Sequence, residues 1–217
     1  WPWRTIEESY AERMADMELS FDELCEVGWI RDIGPNYKKY EKQGFNTSTG
    51  KVEFYSTIFE ELGYDPLPYY QAPPVSSERT PELAKQYPLI LINGGRSMEF
   101  VHSLWREIPV VRQKHPDPLI QMHTDTAVHL GISEGDWVWV ETPLGRVRLR
   151  CAYFDGLNPE VVHADSQWWY PELPGKEPFL YGLWLSNINT VIDDDPEVCN
   201  EIIGSWPQRH TLCRIYK

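Results

Sequence analysis

The run Leu89-Ile90-Leu91-Ile92-Asn93-Gly94-Gly95-Arg96 carries the clearest chemical signal in the chain. A short apolar strand empties into two glycines and a guanidinium. Lacking a Cβ, Gly94 and Gly95 let backbone N–H groups come close to a ligand, and Arg96 offers a planar fork of donors suited to a phosphate or a pterin edge. His102, Ser103 and Arg106 follow within ten residues. On a helix His102 and Arg106 would share a face, and the start of that helix would favour an anion. The pattern reads as an anion-binding strand end; the plainer alternative is a turn with a solvated arginine. A P-loop is excluded because the Gly-Lys-Ser/Thr ending is absent, and so is a GxGxxG dinucleotide turn.

A second group lies in Ser186-Asn187-Ile188-Asn189-Thr190, followed by Asp193, Asp194 and Asp195. Asparagine amides both donate and accept, which suits reading the edge of a heterocycle. Three adjacent aspartates can bind a hard cation, but without EF-hand spacing a solvated acidic turn is the better reading. Trp168-Trp169-Tyr170-Pro171-Glu172 can stack on a ring, with core or interface packing the stronger expectation. Nucleophilic catalysis finds no GxSxG elbow and no HExxH helix, and the histidines at 115, 123, 129, 163 and 210 are scattered. Cys25, Cys151, Cys199 and Cys213 form no CxxC pair, so a structural zinc, an iron–sulfur cluster and a disulfide framework are all poor readings, and a reducing compartment is the simpler setting. These residues look like a ligand-holding module without a complete active site.

The elements that must position them fall into two stretches. Up to about residue 82 the chain reads as short helices and extended connections: a capping box at Ser20 and Glu23 with Gly28 as the stop, a strand-like Val52–Tyr55, and a second helix beginning near Thr57, with Glu60 completing a capping box on it, and ending at Gly63. Prolines at 66, 68, 73 and 74 mark a connector. From 83 to 217 six β-branched or aromatic runs succeed one another: 89–93, 119–123, 136–141, 147–154, 161–164 and 211–216. Thr142-Pro143-Leu144-Gly145 is a hairpin turn, and Thr124 to Gly131 fits a short helix capped by Thr124. Six strands with short helices point to a mainly β fold, a small closed barrel that leaves no open edge.

Composition narrows the function. The 217 residues carry 20 basic and 33 acidic side chains, a net charge of −13 and a pI near 4.9. That balance argues against a nucleic-acid binder and against attachment to anionic lipid. No apolar stretch is long enough to insert into a membrane and no export signal is visible. The chain opens at Trp1 rather than Met, from which a fragment or a processed product is expected, with any address signal outside it.

The run from Pro88 to Arg96, then Phe100, His102, Ser103 and Arg106, resembles the C-terminal cofactor-binding region of the dimethyl sulfoxide reductase family of molybdenum oxidoreductases. Gly135-Asp136-Trp137-Val138, Val140 to Arg146, Trp168 to Glu172 and Asn187-Ile188-Asn189-Thr190 are similar to later blocks of the same family, and Phe45 to Ser56 to the segment before them. Thr124 and Ser166-Gln167 depart from the residues common in that family. The resemblance implies a six-stranded double-psi β-barrel that binds molybdopterin guanine dinucleotide, two copies of which hold molybdenum or tungsten in the whole enzyme. Carried over by position, it assigns cofactor binding to Gly94, Gly95, Arg96, His102, Ser103, Arg106 and Asn189, with Arg209 as a weaker candidate. It also implies that the metal ligand and any iron–sulfur cluster lie elsewhere in the enzyme. The partners would be the remaining domains of the same catalytic subunit, with room for an electron-transfer subunit, and the fragment alone would be inactive. A non-enzymatic double-psi barrel used as an interaction module remains the alternative; a self-contained hydrolase lacks a nucleophile–base pair.

Overall fold

The computed structural model describes residues 2–17, 19–29, 37–200, 202, 204–206 and 209–217. Its chain divides into two compact units, Trp1–Tyr69 and Tyr70–Lys217. Among the described residues the first holds four short helices: α1 (Ile6–Arg13), α2 (Phe21–Val27), α3 (Lys39–Gln43) and α4 (Thr57–Glu61). Helix α2 starts on the expected capping box, with Ser20 and Glu23 each satisfying the other's backbone N–H, and stops at Gly28, whose φ is +81°. Two expectations are corrected here. Val52–Tyr55 forms no strand, and α4 is capped by the Ser56 hydroxyl accepting from the Phe59 N–H, one residue before Thr57.

In the second unit six strands close on themselves. They are β1 (Leu89–Gly95), β2 (Leu119–Met122), β3 (Trp137–Thr142), β4 (Gly145–Tyr153), β5 (Val161–Asp165) and β6 (Thr211–Tyr216). Their order around the barrel is β1-β5-β2-β4-β3-β6, with β6 returning to β1. The pairs β1·β5 and β2·β4 run parallel and the other four antiparallel. This is the six-stranded mixed barrel expected from the β-rich runs. Alternation places the core: Leu89 and Leu91, Ile120 and Met122, Val138 and Val140, Val147 and Leu149, and Val162 and Ala164 all point inward and are buried. Among the described residues four short α-helices accompany the strands: α5 (Pro81–Gln86), α6 (Pro109–Arg112), α7 (Thr124–His129) and α8 (Leu183–Ser186). Helix α7 is capped by His123, whose Nδ1 accepts from the Asp125 N–H, rather than by Thr124, which lies in its first turn.

The pairing gathers the C-terminal ends of β1 and β5, the N-terminal ends of β2 and β6 and the tip of the β3–β4 hairpin at one end of the barrel. There β2 pairs only with residues 150–153 of β4, leaving the first half of β4 without a strand on that side. Helix α8 and the following 3-10 turn, Ile188–Val191, take over: Ser186 Oγ donates to the Arg148 carbonyl at 2.7 Å and the buried Thr142 Oγ1 donates to the Val191 carbonyl at 2.8 Å. Two side-chain hydrogen bonds thus carry the Asn187–Asn189 segment to the site end. Leu91 is fully buried in this core, whereas Leu144 at the hairpin tip is exposed. Leu91→Ala is expected to cost about 3 kcal/mol and Leu144→Ala less than about 0.5 kcal/mol, read from denaturant midpoints; equal costs would contradict this placement of the core.

Candidate functional site

At the end of β1 the register with β5 shifts between Ile92 and Gly95. Gly94 takes φ +90°, and a Cβ there would meet no heavy atom within 4 Å, so this residue opens onto free space. Gly95 serves packing instead. A Cβ on it would lie 2.0 Å from Cε1 and Nε2 of His163, whose ring is held by Nδ1 against Gln121 Oε1 at 2.9 Å. Burial holds the His163 pKa below the usual imidazole value, partly countered by Asp165.

Asn93 continues the inward set of Leu89 and Leu91, so a polar amide closes the top of an apolar row. It is 6% exposed. Its Nδ2 donates to Asn189 Oδ1 at 3.3 Å, and its own Oδ1 has no partner. Asn189 is positioned in turn by Asn187, whose side-chain oxygen accepts from the Asn189 N–H at 3.1 Å. The two sequence segments singled out for heterocycle recognition therefore meet through one amide–amide contact.

The expected helix over His102–Arg106 is absent. His102 and Trp105 have φ of +54° and +74°, values a right-handed helix does not admit, and Val101 and Leu104 pair as an isolated bridge. The His102 carbonyl, which a helix would give to the Arg106 N–H, instead accepts from Arg106 Nη1 at 2.8 Å. Arg106 reaches across to the other strand end as well, donating from Nη2 to the Ser166 carbonyl at 3.4 Å. Its guanidinium lies 4.6 Å from the Phe100 ring centre and 4.8 Å from that of Trp168. It is 2% exposed. It makes no ion pair among the described residues and its Nε is unpartnered. Burial lowers its pKa to about 10, with Asp165 opposing and Arg112 adding to the shift, so the group stays cationic at neutral pH.

Gly95, Arg96, His102, Arg106, Asp165 and Ser166 line one small groove, with Phe100 and Trp168 beneath. Arg96 and His102 are exposed there. Ser103 is exposed too, but what it contributes is its carbonyl, which accepts from Trp169 Nε1 at 2.6 Å. Asn189 lies outside this groove, linked to it through Asn93 and the glycines. Arg209, exposed just before β6, makes no hydrogen bond or ion pair with any of them among the described residues. Asp165 ends β5 and ties the rim together, accepting from the Leu119 N–H at 2.9 Å and lying 2.6 Å from His115 Nε2.

Sequence reading passed over Asn93, His163 and Asp165 as site residues. Only Asn93 left a trace there, as a polar residue in register with an inward-facing apolar row; the contacts of the other two depend on barrel pairing. Asp193 and Asp195 act as turn and cap acceptors for the Asp195 and Glu197 N–H groups, and among the described residues no group of three or more His, Cys, Asp or Glu is placed to hold a metal ion. Trp168 is 1% exposed and belongs to the interior, as the packing reading had it.

Gly95→Ala is expected to lower stability by about 1–3 kcal/mol, and adding His163→Ala to restore part of it; a double variant no more stable than Gly95→Ala alone would refute the contact. Since the His163 pKa is depressed on folding, the unfolded chain takes up the proton first. Stability is then retained above about pH 6.5 and falls as pH drops through the folded-state value, a slope that His163→Gln should flatten in pH-dependent denaturation.

Residues 89–202, more than half of the chain, match the family described as "Molydopterin dinucleotide binding domain". Acetylene hydratase of Syntrophotalea acetylenica is 38% identical over 196 residues, which is 89% of this chain and 27% of that protein. Dopamine dehydroxylase of Eggerthella lenta is 34% identical over 156 residues, covering 70% of this chain and 15% of its own length. The catalytic chain of a putative dimethyl sulfoxide reductase of Halobacterium salinarum is 29% identical over 161 residues, 71% of this chain and 19% of that one. The solved structure of acetylene hydratase from Pelobacter acetylenicus superposes with a TM-score of 0.83 and 32% identity, over all of this chain and 30% of its own. The chain thus spans less than a third of each of these proteins. A glycine-opened strand end, a cation-floored groove and these matches lead to one assignment: the chain belongs to the molybdopterin dinucleotide-binding domain of the dimethyl sulfoxide reductase family of molybdenum enzymes.

Proposed function

We propose that this chain forms one wall of the cofactor site in a larger molybdenum or tungsten enzyme, holding molybdopterin guanine dinucleotide at the β1 end of its barrel, and that it has no complete active site of its own. The observation that carries this reading is Arg106. A guanidinium buried without an ion pair among the described residues, its Nε unpartnered and only the charge of Asp165 nearby, lies under a groove rimmed by the exposed Arg96 and by His102. In a chain of net charge −13, that local surplus of positive charge calls for an anion from outside.

The residues present fit such a group. A pyrophosphate accepts hydrogen bonds only, and the groove offers the donors of Arg96 and the positive charge of Arg106 below. The free space over Gly94 admits a ligand against bare backbone, and Asn93 Oδ1 awaits a donor of the kind a pterin edge carries. Asn189 would add its amide beside Asn93, while His102 and Ser103 would border the groove; Arg209 stands apart and is the weakest member of the set. When bound, the dinucleotide supplies the pterin that holds the metal at which the reaction occurs. This chain's own contribution is orientation and charge. Its buried cysteines do not compete for the metal: burial pushes the Cys151 thiol up to about 11 and the Cys213 thiol higher still, so neither is a thiolate at neutral pH.

The named relatives include a hydratase, a dehydroxylase and a reductase. A role common to such different chemistries is cofactor holding, and substrate choice and the metal ligand are therefore assigned to the other domains of the enzyme. Within the whole enzyme, Arg96→Ala should lower the retained nucleotide and metal about tenfold, the loss of one to two charge-assisted hydrogen bonds, with Tm unchanged. Arg106→Ala should lower both, because it also removes the bonds to His102 and Ser166. Full retention in Arg96→Ala, or a fall in Tm matching the fall in cofactor, would overturn the assignment.

A further inference from the structure

Asp165 puts a carboxylate into the groove that also holds Arg96 and Arg106. Its charge acts on Arg106, yet the two form no ion pair among the described residues. A carboxylate beside a guanidinium ordinarily closes on it, because paired charge-assisted hydrogen bonds match the planar fork of the arginine. Were Asp165 to close in this way, the groove would lose the positive charge that an anion needs.

His115 holds the carboxylate off. Its Nε2 donates to Asp165 Oδ2 at 2.6 Å, and the Leu119 N–H donates to the same oxygen at 2.9 Å. The imidazole is itself fixed. Its side chain is 14% exposed, packs edge-on to Phe100 with ring centres 5.8 Å apart, and lies 5.6 Å from Trp168. The adjoining backbone is tied down by Arg112, whose Nε donates to the Pro116 carbonyl at 2.8 Å. On the other side of the ring, Nδ1 lies 3.8 Å from Glu99 Oε2, an oxygen that also accepts from Ser97 Oγ at 2.6 Å. Glu99 follows the groove residue Ser97 closely, and it too forms no ion pair with Arg96 or Arg106 among the described residues. His115 therefore faces one carboxylate from the loop after β1 and one from the end of β5, without lining the groove itself.

We propose that His115 is a positioning residue of the anion site: it holds Asp165 away from Arg106, and so leaves the buried guanidinium free for an anion in the groove. This role rests on the groove being the cofactor site proposed above, and it adds to that site a residue that touches no ligand. A single hydrogen on Nε2 suffices for it, since a carboxylate only accepts. Without His115, Asp165 can keep the Leu119 bond on one oxygen and turn the other to Arg106, so that an internal anion takes the place of the external one. A histidine needed only for packing would give a loss of stability and no such exchange.

The test reads the guanine nucleotide and metal that the whole enzyme retains after gel filtration, with Tm recorded beside them. His115→Phe keeps an aromatic ring against Phe100 and removes the hydrogen bond to Asp165. Retention is expected to fall about tenfold, with Tm unchanged or raised. His115→Gln returns a donor to Asp165 and should recover most of that loss. Adding Asp165→Asn to His115→Phe should recover it as well, because a neutral amide cannot neutralise the guanidinium. Retention that simply follows Tm across these variants, full retention in His115→Phe, or no recovery on adding Asp165→Asn would each overturn the role of His115. Arg96→Ala separates the two possible failures. If it loses cofactor and His115→Phe does not, the positioning role alone falls; if neither loses cofactor, the groove is not the cofactor site.

Discussion

The architecture of the site depends on keeping one guanidinium inside the protein. Desolvating a charge costs several kcal/mol, and no carboxylate pairs with Arg106 to offset it among the described residues. The Asp165 charge offsets part of the cost, and the rest of the compensation is distributed: two backbone carbonyls, at His102 and Ser166, and two aromatic faces, Phe100 and Trp168. Those four partners come from the loop after β1 and the loop after β5. The charge therefore acts as a staple, and the loops it joins are the ones that border the groove.

A staple works only if the strands bring its partners together, and barrel closure does so. Parallel pairing of β1 with β5 sets their C-terminal ends side by side, Gly95 opposite Asp165. Asp165 then anchors the start of β2 through the Leu119 N–H and holds His115, which packs edge-on to Phe100. Asp165, Arg106 and Asn93 are thus each fixed by a neighbour on a different strand or loop, which pre-organises the buried part of the rim.

Much of this was legible in the sequence, and the remainder was not, for physical reasons. The β-strands show because burial of alternate residues is a local pattern; Trp137-Val138-Trp139-Val140 declares its inner face without help. The 102–106 segment misleads because spacing of four residues suits a helix, whereas the segment is governed by Arg106 capturing the His102 carbonyl, a contact that exists only once Phe100 and Trp168 bury the guanidinium. Cap positions slip by one residue, from Thr57 to Ser56 and from Thr124 to His123, since neighbouring side chains can both accept and the tertiary path decides between them. Family resemblance supplied the cofactor; spacing alone reached no further than an anion at a strand end.

The diglycine shows how a motif divides its labour once folded. Both glycines look equally fit to admit a ligand, yet only Gly94 combines a positive φ with open space where its side chain would be. Gly95 has ordinary backbone geometry and is closed off by the His163 ring, so its missing Cβ makes room for protein rather than for ligand. That contact holds β1 close to β5 where their register slips, and the slip is what turns Gly94 outward. The pair works as a unit: Gly95 packs the strand end against His163, and Gly94 opens onto free space.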